Sequence, residues 1–124
     1  MTQTPRRVLL IDDEPSIIKI VGKRLEREGY TVLVALDGQD GLTKAQTEHP
    51  DLIILDLMLP KRSGFEICST LKQDPQLSAI PVVIYTARGQ ETDKLCEACG
   101  ADATIHKGAS VPDDLIARVR SLLT

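Results

Sequence analysis

The sequence predicts an α/β fold, a doubly wound parallel sheet of five strands with helices on both faces. Strand-like and helix-like patterns alternate five times along the 124 residues, and such alternation implies right-handed βαβ units. The strand-like stretches are continuous aliphatic runs such as Val8-Leu9-Leu10-Ile11, as strands covered on both faces require. Four of the runs end in charged or hydroxyl side chains. Asp12 and Asp13 follow Val8 to Ile11, Asp56 follows Leu52 to Leu55, Thr86 follows Val82 to Tyr85, and Lys107 follows Ala103 to His106. In an open parallel sheet all strand C-termini lie along one edge, so these residues converge on one crevice.

Each element has a local justification. After the first strand, Val8 to Ile11, a helix starts near Pro15, with proline in its first turn and Ile17, Ile18, Val21 and Leu25 on one face. Gly29 suits its C-terminal cap. Thr31 to Leu36 reads as the second strand, Asp37-Gly38 as a turn, and Gly41 to Glu48 as a helix with Leu42 and Ala45 inward, stopped by Pro50. Asp51 to Leu55 is the third strand. A long loop from Asp56 through Pro60 to Gly64 then leads into a helix carrying Phe65, Cys68 and Leu71. The fourth strand follows Pro81, and a helix runs from about Gln90 to Cys99 with Gly100 as its stop. Ala103 to His106 is the fifth strand, and alternation points His106 away from the side of Lys107. Ser110 is the expected cap of a last helix whose inward face is Leu115, Val119 and Leu122.

Composition narrows the function. A chain of 124 residues fits one domain. Aromatic residues are 2% with no Trp, which removes the stacking platforms that single-stranded nucleic acid needs. A net charge of -3 argues against a broad phosphate-backbone footprint, so direct nucleic-acid binding is not expected. No apolar stretch has bilayer-spanning length and Met1 to Arg7 lacks a signal-type apolar region, so the expected location is the cytoplasm, off the membrane. Three cysteines, an odd number, fit reduced thiols, and the Cys96-Cys99 pair has no second pair or histidine cluster at zinc-like spacing.

Any of the strand-end residues alone would pass as ordinary strand-end polarity; together they form a chemical set. Clustered carboxylates at Asp12, Asp13 and Asp56 repel unless a hard divalent cation or a positive side chain offsets them. Mg²⁺ suits such a site, since it takes oxygen ligands and prefers one or two carboxylates plus a phosphate. A carboxylate beside the cation can attack a phosphoryl group as a nucleophile. The Thr86 hydroxyl and the Lys107 ammonium would then donate to the transferring oxygens.

At these positions the chain resembles the receiver domain of two-component response regulators, over nearly its whole length. The matching pieces are Val8 to Glu14, Leu55-Asp56-Leu57-Met58-Leu59-Pro60 with Gly64, Tyr85-Thr86-Ala87-Arg88-Gly89, and Gly100-Ala101-Asp102 leading to Lys107. The resemblance implies a single receiver domain over residues 1–124 with the flavodoxin-like strand order 2-1-3-4-5, a (βα)5 arrangement. It implies that Asp56 is the phosphoacceptor, taking its phosphoryl group from a histidine kinase or phosphotransfer protein. It implies that Asp12, Asp13, Asp56 and the backbone carbonyl of Met58 hold Mg²⁺, and that Thr86 and Lys107 bind the phosphoryl oxygens. Met58 and Arg88 flank the site where similar receivers tune self-dephosphorylation. The role implied is that of a signalling phosphoacceptor that assists its own phosphorylation and dephosphorylation, rather than an enzyme acting on other substrates.

The motif style is closest to receivers of winged-helix transcription factors, which dimerise through the fourth helix, fifth strand and fifth helix. Lys94, Asp102, Asp114 and Arg118 fall where their intersubunit ion pairs lie, so a phosphorylation-linked homodimer is expected as one output. Docking on a downstream protein or a fused effector is the other. The chain stops at Thr124, where a linker would begin, and reads as a stand-alone regulator or a receiver cut from a longer one. Two departures from the family pattern stand out. Thr104 occupies the place of an inward-turning aromatic of the fifth strand, and Gly108-Ala109 replaces the usual proline and aromatic after the site lysine. A dehalogenase-type phosphatase is disfavoured by Met58 standing where its second aspartate is needed. A nucleotide-binding module lacks its glycine motif after the first strand. The remaining rival is a receiver-like interaction module that phosphorylation does not control.

Overall fold

Each strand of the structure, a computed structural model describing residues 4–60, 62–87, 89, 92–108 and 112–124, is short and apolar enough to be covered on both faces. In chain order the elements are β1 (Arg7–Ile11), α1 (Pro15–Arg27), β2 (Thr31–Ala35), α2 (Gly38–Glu48), β3 (Leu52–Leu55), α3 (Gly64–Gln73), β4 (Val82–Thr86), α4 (Asp93–Ala98), β5 (Ala103–His106) and α5 (Asp113–Leu123). The five strands are parallel in the order β2-β1-β3-β4-β5, the doubly wound arrangement expected.

Strand alternation divides the aliphatic residues into two cores. Leu9, Ile11, Ile53, Leu55 and Ile84 face α2 and α3, meeting Leu42, Ala45, Ile67, Cys68 and Leu71, with Cys96 of α4 on the same side. Val8, Leu10, Leu52, Ile54, Val83 and Tyr85 face the opposite way, against Val21 and Leu25 of α1 and Leu115, Ile116 and Val119 of α5. A fully buried aliphatic side chain contributes about 1.5–3 kcal/mol, so these two layers fix the strand ends rigidly.

Several boundaries differ from the sequence reading, each for a local reason. β1 begins at Arg7, whose amide donates to the Asp51 carboxylate at 2.8 Å. β3 starts at Leu52, and Asp51 before it is bonded to Arg7 both ways, its own amide donating to the Arg7 carbonyl at 2.8 Å. β2 ends at Ala35, leaving Leu36 exposed at 55%. Asp37 is the N-cap of α2 rather than part of a free turn: its carboxylate accepts from the Asp40 amide at 2.7 Å, so the helix starts at Gly38 instead of Gly41. α2 closes with His49 in the left-handed region at φ 45°, just before Pro50. Ser63 caps α3 by accepting from the Glu66 amide at 3.3 Å. α4 is shorter than the expected span to Cys99; Cys99 is its cap and Gly100 follows at φ 91°. In α5, Leu115 and Val119 are buried as expected, Leu122 only partly, and Ile116 joins them. Pro112 stands at the cap position of α5. Gln90, Arg88, Ala109 and Ser110 lie outside the described residues.

Candidate functional site

The C-terminal ends of β1, β3, β4 and β5 deliver Asp12, Asp56, Thr86 and Lys107 to one edge of the sheet. The parallel ladder continues one residue past β1, β3 and β5 and fixes the backbone under Asp12, Asp56 and Lys107, while Thr86 is itself the last residue of β4. The Asp12 amide donates to the Ala35 carbonyl at 3.0 Å, that of Asp56 to Ile11 at 3.0 Å, and that of Lys107 to Thr86 at 2.7 Å.

Lys107 is the hub of the crevice. Its side chain is only 7% exposed, and Nζ lies 3.0 Å from Asp12 Oδ2, 3.3 Å from Asp56 Oδ2 and 3.0 Å from Glu14 Oε1. The other oxygen of each buried carboxylate is occupied by backbone. Asp12 Oδ1 accepts from the Glu14 amide at 2.9 Å, and Asp56 Oδ1 from the Met58 amide at 3.3 Å. The ammonium also sits 5.7 Å from the centre of the Tyr85 ring, a cation-π distance.

Asp13 is exposed but belongs to the same cluster: Asp12, Asp13 and Asp56 each offer one carboxylate oxygen, and these lie within 4.8 Å of one another. Thr86 is fully buried at the end of β4. Met58 points to solvent at 62% exposure, just after the loop turns away from Asp56.

Electrostatics follow from this packing. Burial pushes the carboxyl of Asp12 above its ordinary value, against the opposing pull of the Glu14 amide and Lys107. Burial likewise raises Asp56, with the Asp12 charge adding and Lys107 opposing. Burial alone would lower Lys107, but hydrogen bonds to Glu14 and Asp12 and the charges of Asp56 and Asp12 outweigh it and hold the ammonium above its usual range. One ammonium thus faces the three carboxylates of Asp12, Glu14 and Asp56, with Asp13 beside them, and the crevice keeps a net negative charge. Hard oxygen donors with uncompensated negative charge are the donor set a small divalent cation takes, so the residues present fit such an ion.

Glu14 was not singled out from the sequence, yet it is the third partner of Lys107; the acidic triplet from Asp12 to Glu14 was the available signal. His106 does turn away from Lys107: its Nε2 lies 3.0 Å from Asp93 Oδ1, linking β5 to the first turn of α4. Asp102 is exposed while accepting from the Val82 amide at 2.8 Å and pairing with Lys72 at 2.7 Å within its own chain. Lys94, Asp114 and Arg118 are exposed on α4 and α5. Thr104, the departure from the family pattern on β5, hydrogen-bonds the thiol of Cys96.

A carboxylate crevice at the C-terminal edge of a doubly wound sheet, cross-linked by a lysine after the last strand, defines a signalling receiver. The response regulator receiver domain family model matches residues 8–120, and the chain belongs to that family, the receivers of two-component systems. It is 44% identical over 119 residues to the alkaline phosphatase synthesis transcriptional regulatory protein PhoP of Bacillus subtilis, covering 95% of this chain and 48% of that protein. It is 46% identical over 118 residues to the DNA-binding dual master transcriptional regulator RpaA of Synechocystis, covering 94% and 48%. The chain therefore spans about half the length of these curated relatives. Among solved structures, the chemotaxis response regulator CheY4 of Vibrio cholerae superposes with a TM-score of 0.89 at 31% identity, covering 97% of this chain and 100% of that one. The BeF3-activated N-terminal receiver domain of Klebsiella pneumoniae RstA gives 0.85 at 28%, covering 95% and 98%. Among the described residues no helix is long and apolar enough to cross a membrane.

Proposed function

We propose that this receiver is the phosphoacceptor of a two-component phosphorelay, taking a phosphoryl group from the phosphohistidine of a histidine kinase or phosphotransfer protein onto a carboxylate oxygen of Asp56. The observation that carries the reading is that two buried carboxylates, Asp12 and Asp56, share one ammonium at 3.0 and 3.3 Å. That arrangement holds Asp56 in place while leaving its charge only partly neutralised.

In the reaction, an Asp56 oxygen attacks phosphorus and the bond to the donor nitrogen breaks. Lys107, already on Asp56 Oδ2, is placed to pass to a phosphoryl oxygen with a short movement, and its other partners, Asp12 and Glu14, keep it charged and aimed. Thr86, at the neighbouring strand end, would donate its hydroxyl to another phosphoryl oxygen, drawing the chain after β4 toward the site. Mg²⁺, held by Asp12, Asp13, Asp56 and the Met58 carbonyl, would supply the positive charge that stabilises the transferring oxygens. The Thr86 movement then changes the surface offered to a downstream protein, a fused effector or a second copy of the chain. The setting for such a relay is the cytoplasm.

The test is intact-protein mass spectrometry after incubation with Mg²⁺ and acetyl phosphate. One phosphoryl adduct on the parent chain, absent in Asp56→Ala or in excess chelator, is expected. A folded protein that takes no adduct would reassign it as an interaction module that phosphorylation does not control.

A further inference from the structure

We propose that Cys68 and Cys99 form a redox site, at which a hydroperoxide entering the groove between α3 and α4 converts the two thiols into an intramolecular disulfide. The proposal is independent of the phosphoryl chemistry.

The two residues come from different helices yet meet at one point. Cys68 Sγ, on the buried face of α3, donates to the Cys99 carbonyl at 3.4 Å and also bonds the Cys99 side chain. The Cys68 sulfur therefore sits against both the backbone and the side chain of Cys99, the side-chain approach that a disulfide requires. Cys99 caps α4, and its own thiol donates to the Cys96 carbonyl at 3.1 Å. A groove of about 460 Å³, lined by Phe65, Ser69, Leu95 and Ala98 among others, reaches Cys99. Cys68 and Cys96 are buried, whereas Cys99 is half-buried. Cys96 is held on the β5 side by side-chain hydrogen bonds to Thr104 and Thr92. Cys99 is therefore the thiol that an oxidant reaches, and Cys68 lies directly against it.

The order of steps follows. The Cys99 thiolate attacks the hydroperoxide, the O–O bond breaks, and Cys99 becomes a sulfenic acid as the alkoxide or hydroxide leaves and takes up a proton. Cys68 then attacks that sulfur, the S–O bond breaks, and hydroxide leaves as water with the proton from Cys68. Two thiols are oxidised to one disulfide and one hydroperoxide is reduced. Burial pushes the Cys68 thiol up, so Cys68 is not the thiol that meets the oxidant first. The bond would fasten the C-terminal end of α4 to α3 across 31 residues of chain.

The experiment treats the reduced native protein with a small excess of hydrogen peroxide, blocks remaining thiols with N-ethylmaleimide, and maps peptides without reduction. Expected are an intact-mass loss of about 2 Da for the two hydrogens removed, a peptide joining Cys68 to Cys99, and alkylation at Cys96 alone. Dithiothreitol should reverse all three changes, and Cys96→Ala should give the same cross-link. A Cys96 to Cys99 bond, a disulfide between chains, or sulfinic acid without any disulfide would overturn the proposal.

Discussion

Gly64→Ala should uncouple the loop carrying Asp56 from the helix behind it. A Cβ at residue 64 would stand 2.3 Å from the Asp56 carbonyl oxygen and 2.6 Å from the Leu57 Cα. Both are backbone atoms, so no side-chain rotation relieves the overlap. Reaching ordinary contact requires the loop and the start of α3 to part by about 1 Å, which also strains the 3.0 Å bond from the Gly64 amide to the Leu57 carbonyl. Overpacking of this kind costs about 1–3 kcal/mol, and a clash with two backbone atoms belongs at the upper end. Alanine returns about 0.4–1 kcal/mol by restricting the unfolded chain. The net expectation is a loss of about 2 kcal/mol, read by urea denaturation with an unchanged m-value. Phosphoryl uptake from acetyl phosphate should slow in parallel, because the displaced atoms include the Asp56 carbonyl. A variant within about 0.5 kcal/mol of the parent, with unchanged uptake, would refute the reasoning.

Other perturbations have equally definite outcomes. Lys107→Met leaves Asp12 and Asp56 buried without their counter-charge, so stability at neutral pH should fall by about 3 kcal/mol and recover on acidification or with added divalent cation, as followed by thermal denaturation. In the parent protein without cation, Asp12 and Asp56 carry raised values, so between these and the unfolded value the folded state binds more protons. Their contribution to stability should therefore increase as pH falls through the raised values, and melting scans in chelator and in Mg²⁺ should show that slope weakened by the cation. Mg²⁺ at ten times its dissociation constant should add about 1.4 kcal/mol of stability, and Asp13→Asn should shrink that gain in the same melting assay. Asp102→Ala removes the acceptor of the Val82 amide and the partner of Lys72; it should cost about 1–2 kcal/mol while leaving the rate of phosphoryl uptake unchanged in the mass assay.

The fold was legible because its signals are local and repeated. Continuous runs such as Leu52 to Leu55, and helical faces such as Val21 with Leu25, report burial on both faces of a sheet without any knowledge of partners. The site was legible for the same reason, since Asp12, Asp56, Thr86 and Lys107 stand immediately after such runs and the parallel topology brings strand ends together. What escaped were choices made by long-range hydrogen bonds. The Asp51 carboxylate accepts the Arg7 amide, 44 residues away, just before β3 begins. Asp102 also joins Val82 and Lys72 in its own chain, 20 and 30 residues away, which its sequence neighbourhood did not signal. Glu14 gained its place from Lys107, 93 residues distant. The capping role of Asp37 was local and readable, since an aspartate three residues before Asp40 can accept its amide; the following glycine drew the reading toward a turn.

The most direct test of the account asks which carboxylate carries the phosphoryl group. Borohydride reduces an acyl phosphate to an alcohol, so treatment of the phosphorylated chain converts the modified aspartate into homoserine, which peptide mass spectrometry locates. The account predicts homoserine at residue 56 and at no other position. Homoserine at Asp12 or Asp13, with Asp56 unmodified, would contradict it.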